Sequence, residues 1–243
     1  SKSIHQHHNV DVIIVGGGLS GLLAARKFAG TNYDVLLVER EDALGGVLKN
    51  ANKIKSINDQ PADEWLEKTE RLIRNSNNIK ILKNTLVTTY NFSDHLIALE
   101  DKNVGKPQDN EKPELVLHKI RTKHTILANG HIERFITFRN NDLPGVMLAA
   151  SFEKYLNRYG VVPDESPVIF TNNSSTYSLL KSLTDLGHKP KAYVDIRDQK
   201  NIEKETVDLL EKFNIPFYPK SEIEGCEGQK EVKKVSIRTK KNQ

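Results

Sequence analysis

Cysteine is almost absent from this chain. Cys226 is the only one in 243 residues, so no internal disulfide, CxxC redox pair or cysteine-built metal centre can form. Long apolar runs are missing too. None approaches the roughly 18 residues of a spanning helix, and the N-terminus lacks the apolar core of a signal peptide. Nor does one sign of charge dominate: 36 Lys and Arg against 32 Asp and Glu leave a scattered net of +4. That balance argues against nucleic-acid and membrane-surface binding. No G-K-[ST] is present, which excludes a mononucleotide P-loop. Neither a nucleophile–base pair, nor paired carboxylates in one motif, nor metal-ligand spacing can be found, so no catalytic or metal residue is nominated. A reducing, cytoplasmic setting is expected. His118, His124, His131 and His188 are isolated and read as surface or sheet-end histidines. His5, His7 and His8 read as a solvated lead-in before the first strand.

What the chain does have is glycine in one place. In "DVIIVGGGLSGLLAARKF" (11–28), residues 10–15 read as a short, fully buried, β-branched strand of a parallel sheet. Gly16, Gly18 and Gly21 then give G-x-G-x-x-G without a gap. Gly16 makes the tight turn, Gly18 lets backbone approach a pyrophosphate, and Gly21 lets the following helix pack close to the sheet. That helix, starting at Leu19, aims its N-terminal amides and dipole at the phosphates. A second buried strand, "DVLLVER", ends in Glu39, 23 residues beyond Gly16, where an acidic side chain accepts from adenosine ribose hydroxyls. A carboxylate there disfavours NADP relative to NAD or FAD. Arg40 can lie over the adenine or reach a phosphate. Gly45 and Gly46 let the chain fold back under the pyrophosphate, with Val47 lining that pocket.

These features read as the extended fingerprint of the two-dinucleotide-binding-domain flavoproteins. The expected class is α/β: a Rossmann-like FAD/NAD(P)-binding domain with a second, degenerate βαβ nucleotide-binding-like unit. Residues 1–150 form the first domain with an antiparallel meander, and 151–243 the second. In "PADEWLEKTERLIRN" (61–75), Trp65, Leu66, Thr69, Leu72 and Ile73 share one helical face. "IKIL" (79–82) and "TLVTTY" (85–90) read as strands. "HLIALE" (95–100) and 114–130 form the meander, joined by the polar loop 101–113 and ending in Ala128-Asn129-Gly130 near the cofactor. In the second unit a strand (168–171), helix (175–186) and strand (192–196) repeat the first βαβ. Their turn, "TNNSST", has no glycine, and its side chains block a pyrophosphate. Asp195 reads as a strand-end carboxylate, 202–213 as a helix and 230–240 as a strand.

The stretches "VDVIIVGGGLSGLLAA", "TILANGHIERFITFRNNDLPGVMLAASFEKYLNRYGVVP" and "VIFTNNSSTYSLL" resemble the alpha subunits of heterotetrameric sarcosine oxidases. The architecture is shared with alpha subunits of amine, opine and proline dehydrogenases. The resemblance implies non-covalent NAD, with FAD as alternative, and a backbone contact from Val87 to the adenine. It implies oxidative demethylation of sarcosine by flavins on a beta subunit, within a hetero-oligomer holding further small subunits. It also implies that the chain stops before a segment returning to the first domain, so that alone it is inactive. A non-catalytic assembly subunit with a structural nucleotide is the reading from another class.

Overall fold

The computed structural model describes residues 4–50, 54–91, 94–104 and 115–239. Most of the polar loop expected at 101–113 lies outside them. Two compact units divide the chain, residues 1–48 with 54–131 and residues 49–53 with 132–243; the boundary expected from sequence was 150/151.

The first unit runs β1 (Ile4–Val15), α1 (Leu19–Phe28), β2 (Val35–Val38), α2 (Val47–Asn50), β3 (Ser56–Ile57), β4 (Gln60–Pro61), α3 (Ala62–Arg74), β5 (Ile79–Leu82), β6 (Thr85–Asn91), β7 (His95–Asp101) and β8 (Leu115–Leu127). Six strands form one sheet in the order β5-β2-β1-β8-β7-β6. The first four are parallel, and β8-β7-β6 run antiparallel. The parallel strands are β-branched and apolar on both faces because both faces are covered. Val12, Ile14 and Leu37 pack on Leu22 and Ala25 of α1 and Trp65, Leu66 and Ile73 of α3. Ile13, Leu36 and Val38 face the other way, against Leu96, Ala98 and Ile120 of the antiparallel strands. One register slip would exchange these two sets. Leu72 departs from the expected face: it is 45% exposed. The buried stripe of α3 is narrower, running through Trp65, Leu66, Thr69 and Ile73.

The N-terminal histidines are not a lead-in. β1 begins at Ile4, and residues 4–9 pair with residues 116–121 of β8. His118 is fully buried, which corrects the surface reading. His124 and His131 are exposed and His188 half-buried. His118 Nε2 lies 2.9 Å from Glu100, and His118 Nδ1 lies 2.9 Å from His8 Nε2. An ionised carboxylate only accepts, so His118 Nε2 donates to Glu100. Burial works to raise the Glu100 carboxyl, but hydrogen bonds from Lys102 and His118 prevail and hold it below the usual range. Burial first, then Lys80, His118 and His7, push His8 down to about 4, with Glu100 opposing.

Unfolded chains take up this proton near the ordinary histidine value of about 6.5, whereas the folded chain does so only near 4. His8 therefore contributes its full stability above the unfolded value and loses it as pH falls through that window. Thermal melts of the parent and of His8→Gln should converge between pH 7 and 4.5, because the variant lacks this acid-driven loss. Parallel curves across that range would remove His8 from the account.

The second unit contains α4 (Ala149–Tyr159), β9 (Val168–Thr171), a 3₁₀ turn (Ser174–Thr176), α5 (Tyr177–Asp185), β10 (Ala192–Asp195), α6 (Lys204–Lys212), β11 (Phe217–Tyr218), β12 (Ser221–Glu227) and β13 (Lys234–Thr239). Strands β11-β10-β9 form a parallel sheet, and β12 and β13 an antiparallel pair. Phe152 and Leu156 of α4, Leu180 and Leu183 of α5, Tyr193 of β10 and Leu210 of α6 share one core. The expected helix at 175–186 is split because residues 174–176 wind as a 3₁₀ turn.

Candidate dinucleotide site

The site is built where β1 hands over to α1. Gly16 sits at φ +106, a conformation side chains rarely adopt, and a Cβ there would lie 2.3 Å from the Ala128 carbonyl oxygen. The closing Ala128-Asn129-Gly130 turn is thus pressed against the first glycine, and the Ala128 amide donates to the Val15 carbonyl at 2.8 Å. At Gly21 a Cβ would fall 1.8 Å from the Gly16 carbonyl oxygen. Gly18 is different. Its φ of −75 and ψ of −172 suit any residue, and a Cβ there would meet nothing within 4 Å. No protein atom explains that glycine, so an open cradle lies beside it.

The N-terminus of α1 suits an anion in that cradle. A helix leaves its first amides without intrahelical partners, and here no side chain caps them and no acidic residue occupies the first turn. Leu19, the first helical residue, is half-buried against the core while its backbone starts this turn.

Glu39 follows β2 directly and is only 7% exposed. One carboxylate oxygen accepts from the Gly17 amide at 2.6 Å, the other from the Glu41 amide at 2.8 Å. Each oxygen keeps a further lone pair for a hydroxyl donor. The middle glycine was given no role in the sequence reading, yet a Cβ on Gly17 would reach Leu44 at 2.4 Å and the Glu39 carboxylate at 3.1 Å. A run of three glycines was the available signal.

The Gly45-Gly46 pair folds back as expected. The Gly45 amide donates to the Gly17 carbonyl at 2.8 Å, and a Cβ on Gly46 would lie 3.0 Å from the Gly18 Cα. Val47 opens α2 and is 37% exposed. Arg40 points outward, its guanidinium 3.6 Å from the Glu41 carboxylate. Val87 packs its side chain on the Ile13–Leu36–Val38 layer. Its strand starts beside the site, because the Thr85 amide donates to the Glu39 carbonyl at 2.9 Å. The structure thus gathers the glycine loop, Glu39 and the Gly45-Gly46 turn by direct contact.

The corresponding turn of the second unit is closed by its own side chains. The Asn173 side chain accepts from the Ser175 amide at 2.8 Å. Ser174 donates to Glu203, and Arg197 donates to the Ser174 hydroxyl at 3.1 Å. Asp195 is fully buried and bonded by Arg197 at 2.9 Å, so its carboxylate is committed within the unit. Among the described residues no group of three or more His, Cys, Asp or Glu is placed to hold a metal ion, and no helix is long and apolar enough to cross a membrane.

A family model described as an NAD(P)-binding Rossmann-like domain matches residues 14–64, which hold both glycine turns and Glu39. Over 187 residues, 75% of its length, the chain is 33% identical to the sarcosine oxidase alpha subunit of a Corynebacterium species. For the same subunit of Rhizobium meliloti the figures are 81% and 31%. The chain is similar to sarcosine oxidase alpha subunits. It spans about a fifth of their length, 19% and 21% respectively. Its fold matches a crystal structure of L-proline dehydrogenase from P. horikoshii with a TM-score of 0.59 and 21% identity, covering 96% of this chain and 40% of that one.

Proposed function

We propose that this chain is the NAD-holding part of the alpha subunit of a sarcosine-oxidase-like complex, with flavin chemistry on a beta subunit and further small subunits completing the assembly. The open cradle at Gly18 carries the reading, because no close approach of the fold requires glycine there. The backbone of Gly18 and the first-turn amides at Leu19 receive the pyrophosphate. Glu39 accepts from the adenosine ribose hydroxyls, Arg40 neutralises phosphate or covers the adenine, and the Gly46-Val47 backbone closes the far side. Val87 meets the adenine through its backbone. A bound nicotinamide dinucleotide supplies hydride-carrying chemistry. This chain's own part is to bind and orient it, and no side chain of the site is assigned a proton. The resemblance to sarcosine oxidase alpha subunits supports a secondary amine as the substrate of the whole assembly.

The visible spectrum of the purified chain, followed by mass identification of any ligand released on denaturation, tests the reading. NAD without flavin absorbance is the expected result. Released FAD would favour the flavin-holding role of an amine or proline dehydrogenase subunit instead. Titration should saturate at one dinucleotide per chain, because the turn after β9 is filled by its own side chains. A stoichiometry of two would overturn that assignment.

Glu39→Ala should weaken NAD by about 1–3 kcal/mol, the range for leaving a polar partner unpaired. It should also erode discrimination against NADP. Because the same change orphans the Gly17 and Glu41 amides, the NAD:NADP ratio is the clean readout. An unchanged ratio would remove Glu39 from the site.

A further inference from the structure

The antiparallel strands of the first unit bury one face, and among the described residues the other is exposed or half-buried. Their inward residues, Leu96, Ala98, His118 and Ile120, are buried. Residues paired across a sheet point to the same side, so the register sorts the outward ones into rows. Leu86, Leu99 and Leu117 stand side by side as an apolar row, with Leu86 51% exposed. Next to it Ile97 is level with Lys119, and Lys119 with His7. One row further, His95 is level with Arg121.

No carboxylate interrupts these rows. Asp101 lies beyond the leucines, where it accepts from the Asn103 amide. Lys123, beyond Arg121, is neutralised by Asp11 at 2.7 Å. Lys119 and Arg121 are exposed and, among the described residues, have no ion-pair partner. A chain with a net charge of only +4 has therefore gathered uncompensated cations beside a row of one exposed and two half-buried leucines on one sheet face.

We propose that this face is a docking surface for an acidic, leucine-bearing segment of a partner polypeptide. Charge complementarity selects carboxylates opposite Lys119 and Arg121, and the leucine row asks for aliphatic side chains beside them. A single-stranded nucleic acid would require aromatic platforms for its bases to stack on, and these rows hold no Phe, Tyr or Trp, only histidine imidazoles. The inference rests on reading the chain as one part of a hetero-oligomer, but not on the identity of the dinucleotide.

The probe is a short fluorescein-labelled peptide repeating Glu-Glu-Leu, followed by anisotropy, with a Lys-Lys-Leu peptide and oligo-uridine alongside. The chain should bind the acidic peptide alone, and Lys119→Glu with Arg121→Glu should weaken it at least about tenfold at low salt. NAD titration of that double variant should match the parent, which separates this surface from the dinucleotide site. Should the double variant fail to fold, carbodiimide coupling of the acidic peptide to the parent chain decides the matter, with Lys119 expected among the joined lysines. Unchanged affinity in the variant, equal binding of the basic peptide or of oligo-uridine, or coupling that spares Lys119 would each overturn the proposal.

Discussion

Gly18→Val should lose dinucleotide binding while leaving the melting temperature almost unmoved. The backbone at this position, φ −75 and ψ −172, is one that valine adopts without strain. Its Cβ would point into space where no protein atom lies within 4 Å. The fold's own objection is limited to the N-cap of α1, which Gly18 occupies and where valine is a poorer cap than glycine. The added carbons occupy the cradle at the uncapped end of α1, where the pyrophosphate is proposed to sit. A loss of about two orders of magnitude in affinity, roughly 3 kcal/mol, is expected by calorimetric titration. Unchanged NAD affinity in a folded Gly18→Val protein would mean that the cradle is not the phosphate site.

This separation of binding from stability was only partly visible in the amino-acid sequence. The glycine spacing and the position of Glu39 were legible because each is imposed locally, by a backbone conformation or a strand end. The main strands and helices of the first unit followed from their hydrophobic periods, but the short α2, β3 and β4 and the first half of β1 carried no such signal. The N-terminal histidines were not legible, since His8 meets its partner His118 across 110 positions of chain. A histidine's neighbours in sequence do not report such a contact. Helix α4 carried no start signal: its N-cap is Leu148, which has no side-chain acceptor, and its buried residues include Glu153. In the second unit the missing glycines announced a closed turn. That Arg197 would tie Asp195 to Ser174 needed the fold, which brings strand end and turn together.

The largest effect on stability is expected at Gly21. It lies in α1, one turn from the glycine loop, and is buried. A Cβ there would sit 1.8 Å from the Gly16 carbonyl oxygen and 2.9 Å from its carbon, both backbone atoms. Flexible side chains can move aside, but this backbone is fixed by the Gly16 amide's 2.8 Å bond to the Val38 carbonyl. The neighbouring Ala128 turn, which already contacts Gly16, blocks retreat on the other side. Helix propensity alone favours alanine over glycine by about 1 kcal/mol, so an uncrowded site would be stabilised by the change. Overpacking against rigid atoms costs about 1–3 kcal/mol and occasionally more. Here α1 must lift from β1, which also loosens Leu22 and Ala25 from the core they share with Trp65. Gly21→Ala should therefore unfold at lower denaturant concentration, with a net loss of about 2 kcal/mol once the propensity gain is set against the crowding. An alanine variant as stable as the parent would show that the helix–strand approach at this point is not as close as the structure makes it.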